Sequence, residues 1–194
     1  MAVVLQVVAF AVMGVSGYRP VGLEAAAVFS RDPDRIQAGA LIGGFYSLVF
    51  LLMFVGVVAG TIRERATDPR LAAIALGGGI ALTIALAIGY RLLNAGAFAA
   101  ATPDGLSPEL ATVIYRLYSS TFAGFASFGL AAFLGAAGVA AARQGFLPRW
   151  LASTAIFSAV ILMTPAHPIG EAMAAGWIVV VSVVLFRAPR TLPD

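Results

Sequence analysis

Residues 71–90 make twenty consecutive positions without a charged side chain. As an α-helix this run rises about 30 Å, the thickness of a bilayer's hydrocarbon core. In lipid no water satisfies backbone N–H and C=O groups, so a span of this kind has to be helical. The same pattern recurs along the chain, punctuated by short Arg- and Pro-bearing turns. Residues 1–17 read as a first helix, 33–65 as a second, 71–90 as the third span and 108–143 as a fourth. Residues 150–164 form a short fifth helix, and 169–186 return as a sixth.

Composition agrees. With 61% hydrophobic and 11% charged residues and a mean hydropathy of +0.97, 194 residues have too little polar surface to cover a soluble globule. The expected fold class is therefore all-α, an integral membrane helical bundle of about six transmembrane helices in one domain, residues 1–194. The net charge of +3 does not point to nucleic acid, because the basic residues lie in loops between apolar runs. All twelve are Arg and none is Lys, a composition that fits a bacterial genome rich in G and C. Without Cys there are no disulfides or thiolate metal sites. A single His excludes a haem held by two histidines of one protomer, and no metal or cofactor is expected. The apolar start lacks a basic leader region and reads as a retained helix.

Several helix starts carry their own mechanism. In Asp32-Pro33-Asp34 the first acid can cap free N–H groups, Pro suits the first helical position, and the second acid favours the positive dipole end. Ser107-Pro108-Glu109 has the same design. The segment around residues 21–29, apolar about Glu24, leaves a short surface helix and a loop as equal readings. Gly77-Gly78-Gly79 marks close packing or a softened helix. Gly39/Gly43 and Gly56/Gly60 are small-residue spacings that admit a neighbouring helix, either within the bundle or on a protein partner.

Orientation follows from arginine placement. With six spans, Arg63, Arg65, Arg70, Arg143, Arg149, Arg187 and Arg190 fall on one side and Arg19, Arg31 and Arg35 on the other. The richer side is cytoplasmic, so both termini are expected inside, in the cell's inner membrane. From Asp32-Pro33 to Pro69-Arg70-Leu71 and again from Ser107-Pro108 to Pro148-Arg149-Trp150-Leu151, the chain gives a cap, a long helix, a Pro-Arg turn and a return helix. This outlines a parallel hairpin repeat.

The turn Gly145-Phe146-Leu147-Pro148-Arg149-Trp150-Leu151 resembles the Gly-x-Leu-Pro-Arg-Trp-Leu turn of a group of uncharacterised bacterial multi-pass membrane proteins, a domain of unknown function. The Asp-Pro-Asp-Arg-Ile-Gln and Ser-Pro-Glu helix starts are similar to that group as well. The resemblance implies the fold and carries no activity.

Polar residues then narrow the site. Glu171 sits about 24 Å above Arg187 by helical rise, just inside the outer edge of a ~30 Å slab. A carboxylate there is costly unless protonated, paired or facing a polar cavity. His167 lies four residues earlier, on the same face if the helix starts near Pro165. Arg91 and Arg116 fall at a similar level, and Asn94 and Tyr115 could line a pocket with them. Tyr90, Tyr118, Ser119 and Ser120 could line it as well, although interfacial tyrosines, Tyr115 included, are more often belt residues. The leading expectation is an outward-facing cavity of Glu171, His167, Arg91, Arg116, Asn94 and Tyr115 binding a small or lipidic ligand, with the arginine surplus favouring an anion. Membrane lipid surrounds it and nucleic acid is not a partner. Two rivals are an accessory subunit docking through the glycine faces, and an intramembrane enzyme using Glu171 or His167 as general acid. No phosphate-binding loop, nucleophile triad or central acid pair is present, so catalysis is the less favoured reading.

Overall fold

The computed structural model describes residues 1–13 and 21–187, whose regular structure is helical throughout. Arg19, Arg190 and residues 14–17 of the expected first helix lie outside the described residues. The chain opens with α1 (Ala2–Met13) and α2 (Leu23–Arg31). Asp32 then accepts the Arg35 backbone N–H at 3.2 Å and, with Pro33 in the first turn, starts α3, Pro33–Arg65. Asp68 accepts from the Arg70 N–H at 3.0 Å to start α4, Pro69–Ala100. Ser107 accepts from the Leu110 N–H at 3.3 Å to start α5, Pro108–Gln144. Gly145, at φ 68°, ends α5 in the left-handed conformation, its N–H on the Ala141 carbonyl at 2.9 Å. Two shorter apolar helices follow, α6 (Arg149–Leu162) and α7 (His167–Arg187).

Among the described residues, four helices are long and apolar enough to cross a membrane: α3, α4, α5 and, in α7, the stretch His167–Leu185. The described part of α1 has 12 residues and α6 has 14. At 1.5 Å per residue these reach only about 18–21 Å, short of a ~30 Å core. Pro165 shortens α6, because the residue before a proline is driven out of helical geometry. Large apolar side chains such as Val49, Met53, Val57, Ile80, Ile84 and Ile88 point outward along α3 and α4. Such a surface suits lipid and would be a liability in water.

α4 runs ten residues past Tyr90, where the third span was expected to end. Nothing in Arg91-Leu92-Leu93-Asn94 breaks a helix, and the first strong breaker is Pro103. Arg91 and Asn94 therefore sit on the wall of a helix and not at its end. The triple glycine keeps α4 helical and allows close packing: Gly78 lies against the α5 backbone at Gly129 and Phe133, and Gly79 against Val55 of α3. In lipid such close approach replaces the hydrophobic effect as the source of helix association.

α4 is the central helix, flanked by α3 and α5; α6 packs on α5, and α7 on α6. Val55, Leu82, Phe133 and Trp177 belong to one apolar cluster. The Trp177 indole N–H donates to the Leu151 carbonyl at 2.9 Å, tying α7 to α6. A second cluster gathers Phe29, Tyr90, Leu93, Tyr115 and Tyr118. Its Phe29 and Ala25 come from α2, which settles the segment after residue 21 as a helix folded onto α4 and α5. Gly39 packs on Met13 and Ala9 of α1, and Gly43 on the Tyr90 ring, so that pair is occupied within the chain. Gly56 and Gly60 have open space in front of them.

Candidate functional site

Within α3 and α5 the helix widens to π geometry over Ile42–Ser47 and Thr121–Ala126 without ending. Such insertions concentrate at functional positions because they free backbone groups and redirect side chains. Their sequences are akin: Gly43-Gly44-Phe45-Tyr46-Ser47 and Ala123-Gly124-Phe125-Ala126-Ser127. Sixteen residues separate Ser47 from Arg63, Ser127 from Arg143 and Glu171 from Arg187. Three polar side chains on three helices therefore share one level, about 24 Å from the arginine end by helical rise.

The first of these serines is enclosed. Ser47 is fully buried; its hydroxyl donates to the Gly43 carbonyl at 2.8 Å and accepts from Gln6 Nε2 at 2.6 Å. The Gln6 carbonyl oxygen accepts from the Tyr90 hydroxyl. Tyr90 is itself buried, its ring lying against Gly43 and Gly44 and edge-on to Phe122 at 5.4 Å. A Cβ at either glycine would collide with that ring, so the paired glycines of α3 admit the tyrosine.

Ser127 has an acidic partner. Its hydroxyl donates to Glu171 Oε1 at 3.1 Å. Both line a groove of about 260 Å³ bounded by α1, α3, α4, α5 and α7, in which Gln6 is the other polar side chain and Leu51, Leu82, Leu86, Phe122, Leu130 and Ile178 are among the apolar ones. A second apolar groove, about 550 Å³, shares Ala2, Val3 and Ile178 with the first. It follows α1, α3 and α7 past Phe50, Met53 and Val57 to Leu185. The two adjoin through these residues as a slot; Gln6, Ser127 and Glu171 are the polar side chains of the first part and Ser182 is that of the second.

The single outward cavity expected from residue counting is divided. Glu171 faces the α1/α7 groove. Arg91 and Asn94 line a different one, about 490 Å³, between α3 and α4 with Gln37. Arg116 is exposed and lines neither. Tyr115 is buried in an aromatic stack, 6.5 Å from Phe29 and 5.7 Å from Tyr118. His167 begins α7 one turn from Glu171 on the same face, its backbone N–H on the Thr164 carbonyl at 3.0 Å, and it does not line the groove. Among the described residues, neither Arg91 nor Arg116 forms an ion pair with Glu171. The common level expected for the three does not hold: Arg116 lies eleven residues, about 16 Å by rise, before Ser127, the residue that meets Glu171, and Arg91 lines a different groove. Among the described residues no three His, Asp or Glu side chains converge as metal ligands would.

Reading the sequence alone misses Gln6, Ser47 and Ser127. Two signals mark them. Gln6 is the lone polar residue in the first thirteen, and Gly-Phe-x-Ser occurs twice, eighty residues apart, inside otherwise apolar runs. No family model, curated protein or solved structure matches the chain.

Proposed function

We propose that this protein is a bacterial inner-membrane protein that binds an amphiphilic, lipid-soluble ligand in the slot beside α1 and α7. Glu171 and Ser127 meet the ligand's head, and the apolar walls take its tail. One observation carries the reading: Glu171 lines an apolar groove with Ser127 as its hydrogen-bond partner and, among the described residues, no arginine paired to it. An ionised carboxylate in such surroundings is costly until something supplies charge or hydrogen bonds. The ligand that best supplies both has a cationic or hydrogen-bond-donating head. The anionic preference expected from the arginine surplus does not suit this groove.

The membrane setting is part of the proposal. Six segments enter the bilayer, α1 and α6 reaching only part of the way by themselves, and both termini face the cytoplasm by the arginine asymmetry. The α3–α4 and α5–α6 hairpins are parallel repeats, supported by their capped starts, their π segments, the recurring Gly-Phe-x-Ser and the Pro-Arg turns. Membership in the uncharacterised group resembled by the Gly145–Leu151 turn rests on those turn and cap residues.

The test is a thermal-unfolding series on the purified protein in a neutral detergent, with an alkylamine, an alcohol and a carboxylate of equal chain length. Expected is a rise in midpoint with the amine that exceeds the rise with the carboxylate and is lost in Glu171→Gln. Equal shifts from all three amphiphiles, in both proteins, would refute the proposal.

A second reading is an accessory subunit, supported by the open faces at Gly56 and Gly60. A stoichiometric protein partner retained in mild detergent, and lost in Gly56→Leu, would favour it. Catalysis has less support: the groove brings one carboxyl and one hydroxyl together, and no second acid or base lines it.

A further inference from the structure

The groove between α3 and α4 has a polarity of its own. Its lining includes Gln37, Arg91 and Asn94 together with Ala38, Leu41, Gly44, Phe45 and Ala87. α3 descends from its capped start at Pro33 toward Arg63, while α4 climbs from Pro69 toward Ala100. Gln37 therefore lies above Leu41 and Phe45 on one wall, and Arg91 and Asn94 lie above Ala87 on the other. The hydrogen-bonding groups occupy one end of the groove and the apolar groups the other. Arg91 is twenty-one residues from Arg70, about 31 Å by helical rise, which is the level where hydrocarbon gives way to headgroups.

Arg91 is exposed, and among the described residues no acid or carbonyl engages its guanidinium. A snorkelling arginine needs no pocket. This one stands at the rim of a groove of about 490 Å³ with two carboxamides beside it. A guanidinium flanked by amide donors matches the oxygens of a phosphodiester, which Arg can hold with two parallel hydrogen bonds. The apolar wall below runs in the direction an acyl chain would take.

We infer that the α3/α4 groove is a binding site for an anionic phospholipid, with Arg91, Gln37 and Asn94 on the phosphate and Leu41, Phe45 and Ala87 against the upper part of a chain. It is separate from the Glu171 slot and selects the opposite charge. Tyr90 forms the partition, its ring lining this groove while its hydroxyl reaches Gln6 in the other.

Native mass spectrometry of the full chain in a neutral detergent tests this, with phosphatidylglycerol and phosphatidylcholine of identical chains offered at equal concentration. Expected is about fivefold more retained phosphatidylglycerol, the preference that one arginine at a membrane surface confers. Arg91→Gln should abolish the preference, Gln37→Leu and Asn94→Leu should each reduce it, and Arg116→Gln should leave it intact. If Arg91→Gln does not yield monodisperse protein, the two amide variants decide. An unchanged preference in both overturns the site, as does an equal loss in Arg116→Gln, which would mark diffuse charge attraction. Displacement of the lipid by millimolar inorganic phosphate would also overturn it, in favour of a soluble anion.

Discussion

Ser47 and Ser127 occupy matching places in two long helices, one ending and the other immediately following a π segment, yet their surroundings differ. Ser47 is enclosed by neutral partners: Gln6 on one side, the Gly43 carbonyl on the other, and Tyr90 closing the network. Ser127 donates to a carboxylate that faces a groove. The difference comes from what packs on each π segment. Gly43 and Gly44 admit the Tyr90 ring, whereas at the other segment Phe122, Ala126 and Ser127 line the groove, and Gly124 has nothing within 4 Å. One segment has become a structural joint, and its counterpart opens onto the slot that we propose binds ligand.

Removing the wedge should break this contrast most strongly. Tyr90→Ala empties a fully buried site and strands Gln6, and is expected to cost about 3–5 kcal/mol, as large aromatic deletions in packed cores do. Phe122→Ala, at the partly buried groove wall, should cost less. Thermal unfolding in detergent compares them, and equal losses would mean that the two regions are equally closed.

The glycines give a paired test of opposite sign. Gly44→Ala forces the Tyr90 ring aside and should destabilise by about 1–3 kcal/mol. Gly124→Ala meets open space and should stabilise by up to about 1 kcal/mol through the usual helical advantage of Ala over Gly. If both variants destabilise alike, the α5 segment is packed more tightly than its open side implies.

Serine removal separates stability from binding. Ser47→Ala leaves the Gln6 amide without its acceptor and should cost about 1–3 kcal/mol. Ser127→Ala should cost nearer 1 kcal/mol but weaken alkylamine binding, because the head loses the hydroxyl that orients Glu171. The smallest stability effect is expected for Glu171→Gln, which keeps the side-chain shape and a hydrogen bond to Ser127 and removes only the charge. Its unfolding midpoint without ligand should stay within about 1 kcal/mol of the parent, since a neutral amide is easier to hold in an apolar groove than a carboxylate.

Much of this architecture is legible in the sequence, and the reasons are local. Asp32-Pro33, Asp68-Pro69 and Ser107-Pro108 start helices because a side-chain oxygen and a proline within two residues satisfy what a helix N-terminus lacks. Gly145 stops one because it adopts the left-handed conformation at no steric cost. Uncharged runs set which helices are long enough to cross a bilayer, and four-residue spacing puts His167 and Glu171 on one face. The end of α4 was harder to read, since a polar pair such as Arg91 and Asn94 suggests a boundary but does not break a helix.

Partners and cavities were decided elsewhere. Residue counting puts Glu171 level with Ser127 but leaves Arg116 eleven residues, about 16 Å, beyond Ser127 in α5, and Arg91 about 31 Å from Arg70; which way each faces depends on how α3, α4, α5 and α7 rotate against one another. That rotation follows from glycines at crossings, Gly78 on Gly129 and Gly43 on Tyr90, whose partners lie tens of residues away. The π segments are a further case, because one inserted residue turns the serine at or just past its end and no local residue preference announces the insertion. The sequence by itself determined most of the helices and their caps, all properties of neighbouring side chains. Only tertiary packing paired Glu171 with Ser127 and turned Arg91 toward a groove of its own, because such pairings depend on contacts that no local stretch of chain contains.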